Sequence, residues 1–346
     1  MPVPERIPGK LEFAQSYSDA WRGWPVAPVR GQHPIRGSFL DPRPDPRLGA
    51  VYHDGVDIAV RDDRPERGAP VGRTHRVYAI EGGRVTEATA RGVRGLVRIG
   101  HFRYEHVDAR VERGELVRAG QVIGWTCRDT WHVHLSEFVF TPTGGRLLVN
   151  PLRRDGKLHP YVDRAAPELY EVRYYAPATP RWQRRPGTTV ARLPQAGRRL
   201  DKRRLFGAVD VRVRMSDPQS FIGWFKELPQ LAAPHHPFRL AVTVVQEASG
   251  SVVERRDVFW SEQMLELPAG QHFAPGTEQN LPANACMRFH RTVACDGTYW
   301  FRLFPRPYWD TTRLPNGRYR LRIRAWDVAG NMSKADTRVV IGNPSL

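Results

Sequence analysis

Tyr52-His53-Asp54-Gly55-Val56-Asp57 and, further along, Trp131-His132-Val133-His134-Leu135 decide how this chain of 346 residues is read. Between them they hold four side chains able to ligate a metal, and Tyr104-Glu105-His106-Val107 adds a fifth candidate to the same segment. Neutral imidazole and carboxylate are the usual non-thiolate ligands of Zn²⁺, which takes four donors in a roughly tetrahedral arrangement. His132 and His134 stand two apart in a run with Val133, Leu135, Phe138, Val139 and Phe140, which predicts a β-strand. Residues i and i+2 of a strand share a face, about 6.5 to 7 Å apart at Cα. One of the pair can therefore bind a metal while its neighbour handles a proton. Gly55 argues against a helix carrying His53 and Asp57. A bend at Gly55 into a strand over Val56–Val60 brings both side chains toward one point instead.

In its ordered motifs the segment resembles the lysostaphin-type, LytM-like zinc endopeptidases, which cut peptide crosslinks of bacterial cell walls. His53, Gly55 and Asp57 match His-x-Gly-x-Asp; Tyr104, His106 and Val107 match the Tyr-x-His-hydrophobic step; His132 and His134 match His-x-His. Val77-Tyr78-Ala79, Gly82-Gly83-Arg84-Val85 and Val117-Arg118-Ala119-Gly120-Gln121-Val122-Ile123-Gly124 are similar to the family's connecting pieces. The resemblance spans roughly residues 34–151.

The resemblance implies that His53, Asp57 and His134 hold one Zn²⁺ per chain, with His132 and His106 as catalytic histidines. It also implies hydrolysis of peptide bonds in peptidoglycan by a metal-bound water, and a location outside the cytoplasm, secreted, periplasmic or in the cell envelope. Three protein ligands leave a fourth position for water, whose pKa zinc lowers to about 7. An imidazole of pKa about 6.5 can take that proton and return it to the leaving amine. Two stretches depart from the family pattern. Trp125-Thr126-Cys127-Arg128-Asp129-Thr130-Trp131 replaces the usual small residues before His-x-His, making the cleft wall bulkier, and the link from Ile99 to His106 is short for a hairpin tip. The bulky Trp125–Trp131 stretch, with the N-terminal extension and the lack of an apolar leader core, sustains an alternative: a non-catalytic metal-binding or wall-binding member with an occluded groove. In one version His53, Asp57, His132 and His134 all ligate, closing the site to water.

Other candidates carry less. Asp54 adjoins His53, and neighbours in a strand face opposite ways, so it is expected to face solvent. His75 and His101 read as surface or hydrogen-bonded core residues. Tyr104 and nearby arginines are candidates for steadying a tetrahedral intermediate. Cys127 reads as a small core residue. Cys286 and Cys295 either pair across a hairpin or remain free thiols, and no cysteine spacing suggests a zinc ribbon.

Composition sets the frame. The length suits two ordinary domains, and 40% hydrophobic residues with 14 Phe, 11 Tyr and 10 Trp exclude a disordered chain. Few segments sustain a 3.6-residue apolar period, so the balance favours β structure. The net charge of +17 is almost all arginine, which suits anionic cell-wall polymers as partners. Without a basic block interleaved with aromatics, it predicts no specific nucleic-acid partner. No stretch reaches the ~20 apolar residues of a membrane span, and Met1-Pro2-Val3-Pro4-Glu5-Arg6 shows no apolar leader core.

Outward from the central segment, residues 1–33 read as a packed extension anchored by Trp21, Trp24 and Pro25. Residues 34–155 read as a mainly antiparallel β peptidase domain with an open groove, LytM-like by the resemblance. In residues 156–346, Val209, Val211, Val213 and Met215 alternate with polar neighbours, as do Leu240, Val242 and Val244. Tyr319, Leu321, Ile323 and Ala325 oppose Arg320, Arg322 and Arg324, the pattern of strands with one wet face. Pro315-Asn316-Gly317 is a hairpin signal. The run from Gly317 to Asn331 resembles the closing strands of immunoglobulin-like and fibronectin-like modules, implying a β-sandwich with a long irregular insertion around 260–312. Trp300, Phe301, Phe304, Tyr308 and Trp309 read as that insertion's own small core. His235, His236, His272 and His290 lack a partnered carboxylate motif.

Overall fold

Alternating apolar and polar residues dictate strands here and little else. The computed structural model is mainly β, built of antiparallel sheets, and describes residues 20–45, 49–89, 92–141, 144–177, 197–227, 234–266, 268–277, 297–305 and 308–344. Cys286, Cys295 and His290 lie outside the described residues.

The largest sheet runs Ile35–Gly37, Val56–Ala59, His132–Phe140, Phe102–Glu105, Leu96–Ile99, Gly83–Thr89, Leu116–Val117, with Arg146–Val149 paired to the far end of His132–Phe140. Val56, Ile58, Val133, Leu135, Phe102 and Tyr104 are fully buried on one face, which leaves Asp57, His132 and His134 on the other, as a period of two requires. Arg73–Tyr78, Val122–Cys127 and Val107–Ala109 form a separate three-stranded sheet. The chain changes sheets at His106, between Phe102–Glu105 and Val107–Ala109, and again between Val122–Cys127 and His132–Phe140.

Further along are two four-stranded sheets. One holds Glu168–Tyr175, Ala208–Ser216 and Tyr299–Arg302, with Trp309–Asp310 also on Ala208–Ser216; the other runs Val252–Trp260, Arg239–Gln246, Gly317–Trp326, Met332–Ile341. Tyr319, Leu321, Ile323 and Ala325 are buried while Arg322 and Arg324 are exposed. Val209, Val211, Val213 and Met215 fill the facing layer, and Tyr174 spans the two sheets to Thr337 at 3.0 Å.

Two expectations change. The span 260–312 is not wholly irregular, because Tyr299–Arg302 is a paired strand buried at all four positions, and double burial erases the alternation that marks a strand. Trp300, Phe301, Phe304 and Trp309 are core residues, with Phe304 stacked on Trp309 at 5.3 Å. Nor does Asn316-Gly317 turn a hairpin. Asn316 exchanges two hydrogen bonds with the backbone of Asn343, and the hairpin of Gly317–Trp326 closes at its other end, onto Met332–Ile341.

The later sheets grip the strand that opens the first. Gln219 bonds both backbone groups of Ile35, the His235 ring reaches Ile35 O at 3.1 Å, and His236 reaches Phe39 O at 2.9 Å. Tyr299 donates to Asp41 at 3.0 Å, and Tyr52 meets the ring of His272 at 2.6 Å. On the other side Trp24, fully buried, donates to Pro160 O, and Val26 bridges to Val77. Among the described residues no helix is long and apolar enough to cross a membrane.

Candidate metal centre

Three buried side chains meet on the face of the large sheet opposite Val56, Ile58, Val133 and Leu135. His53 Nε2, His134 Nδ1 and Asp57 Oδ1 form a triangle with edges of 2.9, 3.1 and 3.1 Å. The group could hold a metal ion, all three ligand atoms lying within 4.8 Å of one another. His134 and Asp57 are brought together by strand register, being direct Cα partners across His132–Phe140 and Val56–Ala59. His53 enters from the bend before Val56, where the chain is not yet a strand. Gly55 makes that bend possible: a Cβ there would lie 2.4 Å from Leu135 O and 2.6 Å from His134 Nε2. The glycine of His-x-Gly-x-Asp is thus required by the Leu135 carbonyl and the His134 imidazole packed over it, through close approach rather than an unusual φ.

Each candidate ligand is held by its outer atom. His53 Nδ1 donates to Ser38 O at 2.7 Å, which leaves Nε2 as a lone pair facing the triangle. His134 Nε2 lies 3.2 Å from Asp54 Oδ1 and 3.1 Å from Ser136 Oγ, so this nitrogen carries its proton and Nδ1 faces inward. Asp57 Oδ2 accepts from Arg43 at 2.9 Å. Fixing tautomer and ring orientation from outside is how metal sites are built. Gly37 permits the Arg43 contact, since a Cβ there would stand 2.4 Å from both Arg43 Nη2 and Asp57 Oδ2.

The electrostatics call for a cation at this spot. Burial pulls the His134 imidazole down, but Asp54 and Asp57 on either side outweigh it and push it up to about 9. Burial pushes the Asp57 carboxyl up, yet His53, His132 and His134 around it hold it well below the usual carboxylate range. For His53, burial and the nearby Arg43 hold the ring neutral. The two carboxylates therefore ask for positive charge between the rings, which a proton or a metal supplies.

His132 and His106 stand beside the triangle. His132 Nδ1 meets Thr130 O at 2.5 Å, so it is the protonated nitrogen and Nε2 is the lone pair, 3.6 Å from Asp57 Oδ1. Burial pulls this imidazole down to about 3. His106 donates from Nδ1 to Val93 O at 2.7 Å, and its ring lies edge-on to His132 at 4.7 Å. Its φ is +64°, a left-handed conformation that a non-glycine residue adopts only under constraint. The corner between sheets imposes it. Trp131, with φ of +61°, makes the matching corner before His132. The rings of the sequence-identified histidines and the Asp57 carboxylate are thus all brought together.

Several expectations shift. Asp54 does not simply face solvent: it holds His134 and is itself held by Arg103 at 2.5 Å. Tyr104 cannot reach any reaction centre, because it is fully buried and accepts from Ile80 N at 2.8 Å. The bulky stretch before His132 mostly turns inward. Trp125, Thr126 and Cys127 are buried, and Trp131 stays at the rim, 6.4 Å from Trp224. His132 lies outside the triangle, so the four-ligand arrangement is not formed. His101 bonds Glu81, and His75 takes no part. Arg36, not singled out by any motif, donates to Thr130 O at 2.9 Å, the same carbonyl that takes the His132 Nδ1 proton.

No protein-family model matches the chain, and no curated protein does. Among solved structures it is similar to Helicobacter pylori Csd3 in its orthorhombic crystal, with a TM-score of 0.28 and 22% identity over 41% of this chain and 36% of that one. The hexagonal crystal of the same protein gives 0.25 and 20% over the same shares. The tetra-tandem repeat in the extending region of a large adhesion protein gives 0.21 and 10%, over 87% of this chain and 47% of that one. The chain thus corresponds to about a third of the length of Csd3. Scores in this range leave function to the residues themselves.

Proposed function

We propose that the protein is a zinc-dependent endopeptidase hydrolysing peptide bonds in bacterial peptidoglycan, with His53, Asp57 and His134 holding the metal. The observation that carries this reading is the triangle itself. Ligand atoms about 2.0–2.1 Å from zinc at the tetrahedral angle stand about 3.3 Å apart, and the edges here are 2.9 to 3.1 Å. Two inward lone pairs and a carboxylate at that separation repel one another unless a cation or proton lies between them. The donor set of two imidazoles and one carboxylate suits zinc, and the pairing of each outer atom fits a permanent site.

When bound there, zinc supplies Lewis acidity and an ionised water near neutral pH. His132, neutral and with Nε2 turned toward the triangle, takes a proton from the nucleophile. That proton would pass on to the leaving amine, with His106, edge-on to His132 at 4.7 Å and half-buried, beside the transfer. Residues 34–155 would form the catalytic domain and residues 156–346 a second domain that braces it; a cell-envelope location belongs to the same proposal.

The test is to load the full chain with zinc and incubate it with purified sacculi, identifying new peptide ends by mass. The expected result is one zinc per chain and released ends that vanish with His134→Ala. Sacculi left intact by zinc-loaded protein would sink the proposal.

A further inference from the structure

The outer face of the last sheet carries more positive charge than it neutralises. Alternation with the buried Tyr319, Leu321, Ile323 and Ala325 puts Arg318, Arg320, Arg322 and Arg324 on that face, and every second residue of a strand stands about 6.5 to 7 Å from the last. Register sets further cations beside this row. Arg338 is the direct partner of Arg320 and Lys334 of Arg324, while Arg255 lies across Thr243 from Arg322. Like charges directly opposite one another weaken a sheet. The acids answering them are few: Glu247 pairs with Arg320 and Arg338, Asp336 reaches Arg320 at 3.9 Å, and Asp257 is taken by Arg239. Arg255, Arg318, Arg322, Arg324 and Lys334 are exposed and form no ion pair among the described residues. Arginine content alone does not produce this, for the facing sheet differs. All the arginines of its strands, Arg173, Arg212, Arg214 and Arg302, are matched to Glu171 or Asp210.

The arrangement fits one kind of partner. A straight row of guanidinium groups, each with a fork that matches a phosphate, suits a linear polymer with a negative charge on every repeat. Between the row and Arg255 the side chains are short, Ala241 and Thr243, which leaves room for such a chain to lie along the sheet. Base stacking has no platform here, because the two indoles of the face, Trp260 and Trp326, each already have Arg239 over the ring, at 5.1 and 5.0 Å from the centroids. We infer that this face docks a polyol-phosphate chain, a phosphodiester polymer without bases, held by charge along its backbone. The sheet is separate from the one that carries Asp57 and His134, so the inference does not depend on the hydrolase reading.

The experiment titrates the full chain with synthetic poly(glycerol phosphate), with uncharged polyglycerol of the same length and with single-stranded DNA of mixed sequence and equal phosphate count, over a series of salt concentrations. The wild-type protein is expected to bind the phosphate polymer, to ignore polyglycerol and to prefer the polymer to the DNA. A variant carrying Arg322→Gln, Arg324→Gln and Lys334→Gln together is expected to bind about 10-fold more weakly or worse. Its slope of log Kd against log salt is expected to fall by about 2, at roughly 0.7 per phosphate neutralised. A control variant removes the same charge elsewhere, by Arg154→Gln, Arg164→Gln and Arg203→Gln at exposed positions, and is expected to keep the wild-type affinity. Melting temperatures check that both variants fold, all six side chains being exposed. Absence of binding by wild type, equal losses in the two variants, or DNA bound as tightly as the polymer overturns the inference.

Discussion

Asp54 shows how much of a candidate metal centre lies in residues that no motif marks. Its carboxylate bridges His134 Nε2 and Arg103, so Asp54→Ala leaves the outer nitrogen of a candidate ligand with Ser136 alone and Arg103 with Glu105 and Ser136. Losing such a partner typically weakens metal binding 10- to 100-fold. We expect a shift of that size in zinc affinity, measured by competition with a chelator, while the folded chain persists; unchanged affinity would mean that Asp54 is only a surface acid. His53, Asp57 and His134 were legible because two short spacings carry them and glycine marks the bend between two of them. Asp54 was misread because the two-residue alternation applies only inside a strand, and the strand begins at Val56.

At the scale of elements, Gly317–Trp326 was read correctly because one of its faces is wet. Ile323 is fully buried in the core and Arg322 next to it points outward. Ile323→Ala is expected to cost about 2–5 kcal/mol and Arg322→Ala no more than about 0.5 kcal/mol, as compared by denaturant midpoints. Similar costs at the two positions would mean the register is wrong by one residue. Tyr299–Arg302 escaped notice for the opposite reason, being dry on both sides. The sheet-changing corners at His106 and Trp131 were equally hidden, for left-handed backbone at histidine and tryptophan is imposed by the surrounding sheets and not by propensity.

The whole molecule has an acidic weak point where its sheets join. Asp217 pairs its backbone with His235, whose ring holds Ile35, but its carboxylate is buried and Oδ1 has no partner. Burial, with Asp327 and Asp163 nearby, raises this carboxyl well above its ordinary value. Above about pH 4, where an unfolded aspartate ionises, the native state holds the extra proton. Stability therefore falls as pH rises through that window. Asp217→Asn should melt higher than wild type at pH 7, with the gap closing toward pH 4; a gap of the same size at both pH values, or a lower melting point at pH 7, would contradict this. The grip of Gln219, His236 and Tyr299 on residues 35–41 has a different consequence. Ser38, which orients His53, and Asp41, beside Arg43, belong to the bend that these residues clamp. If the site holds a metal as proposed, anyone transplanting its two motifs onto a smaller scaffold would leave behind the far buttress, so a minimal graft should bind the ion loosely unless that bend is braced anew.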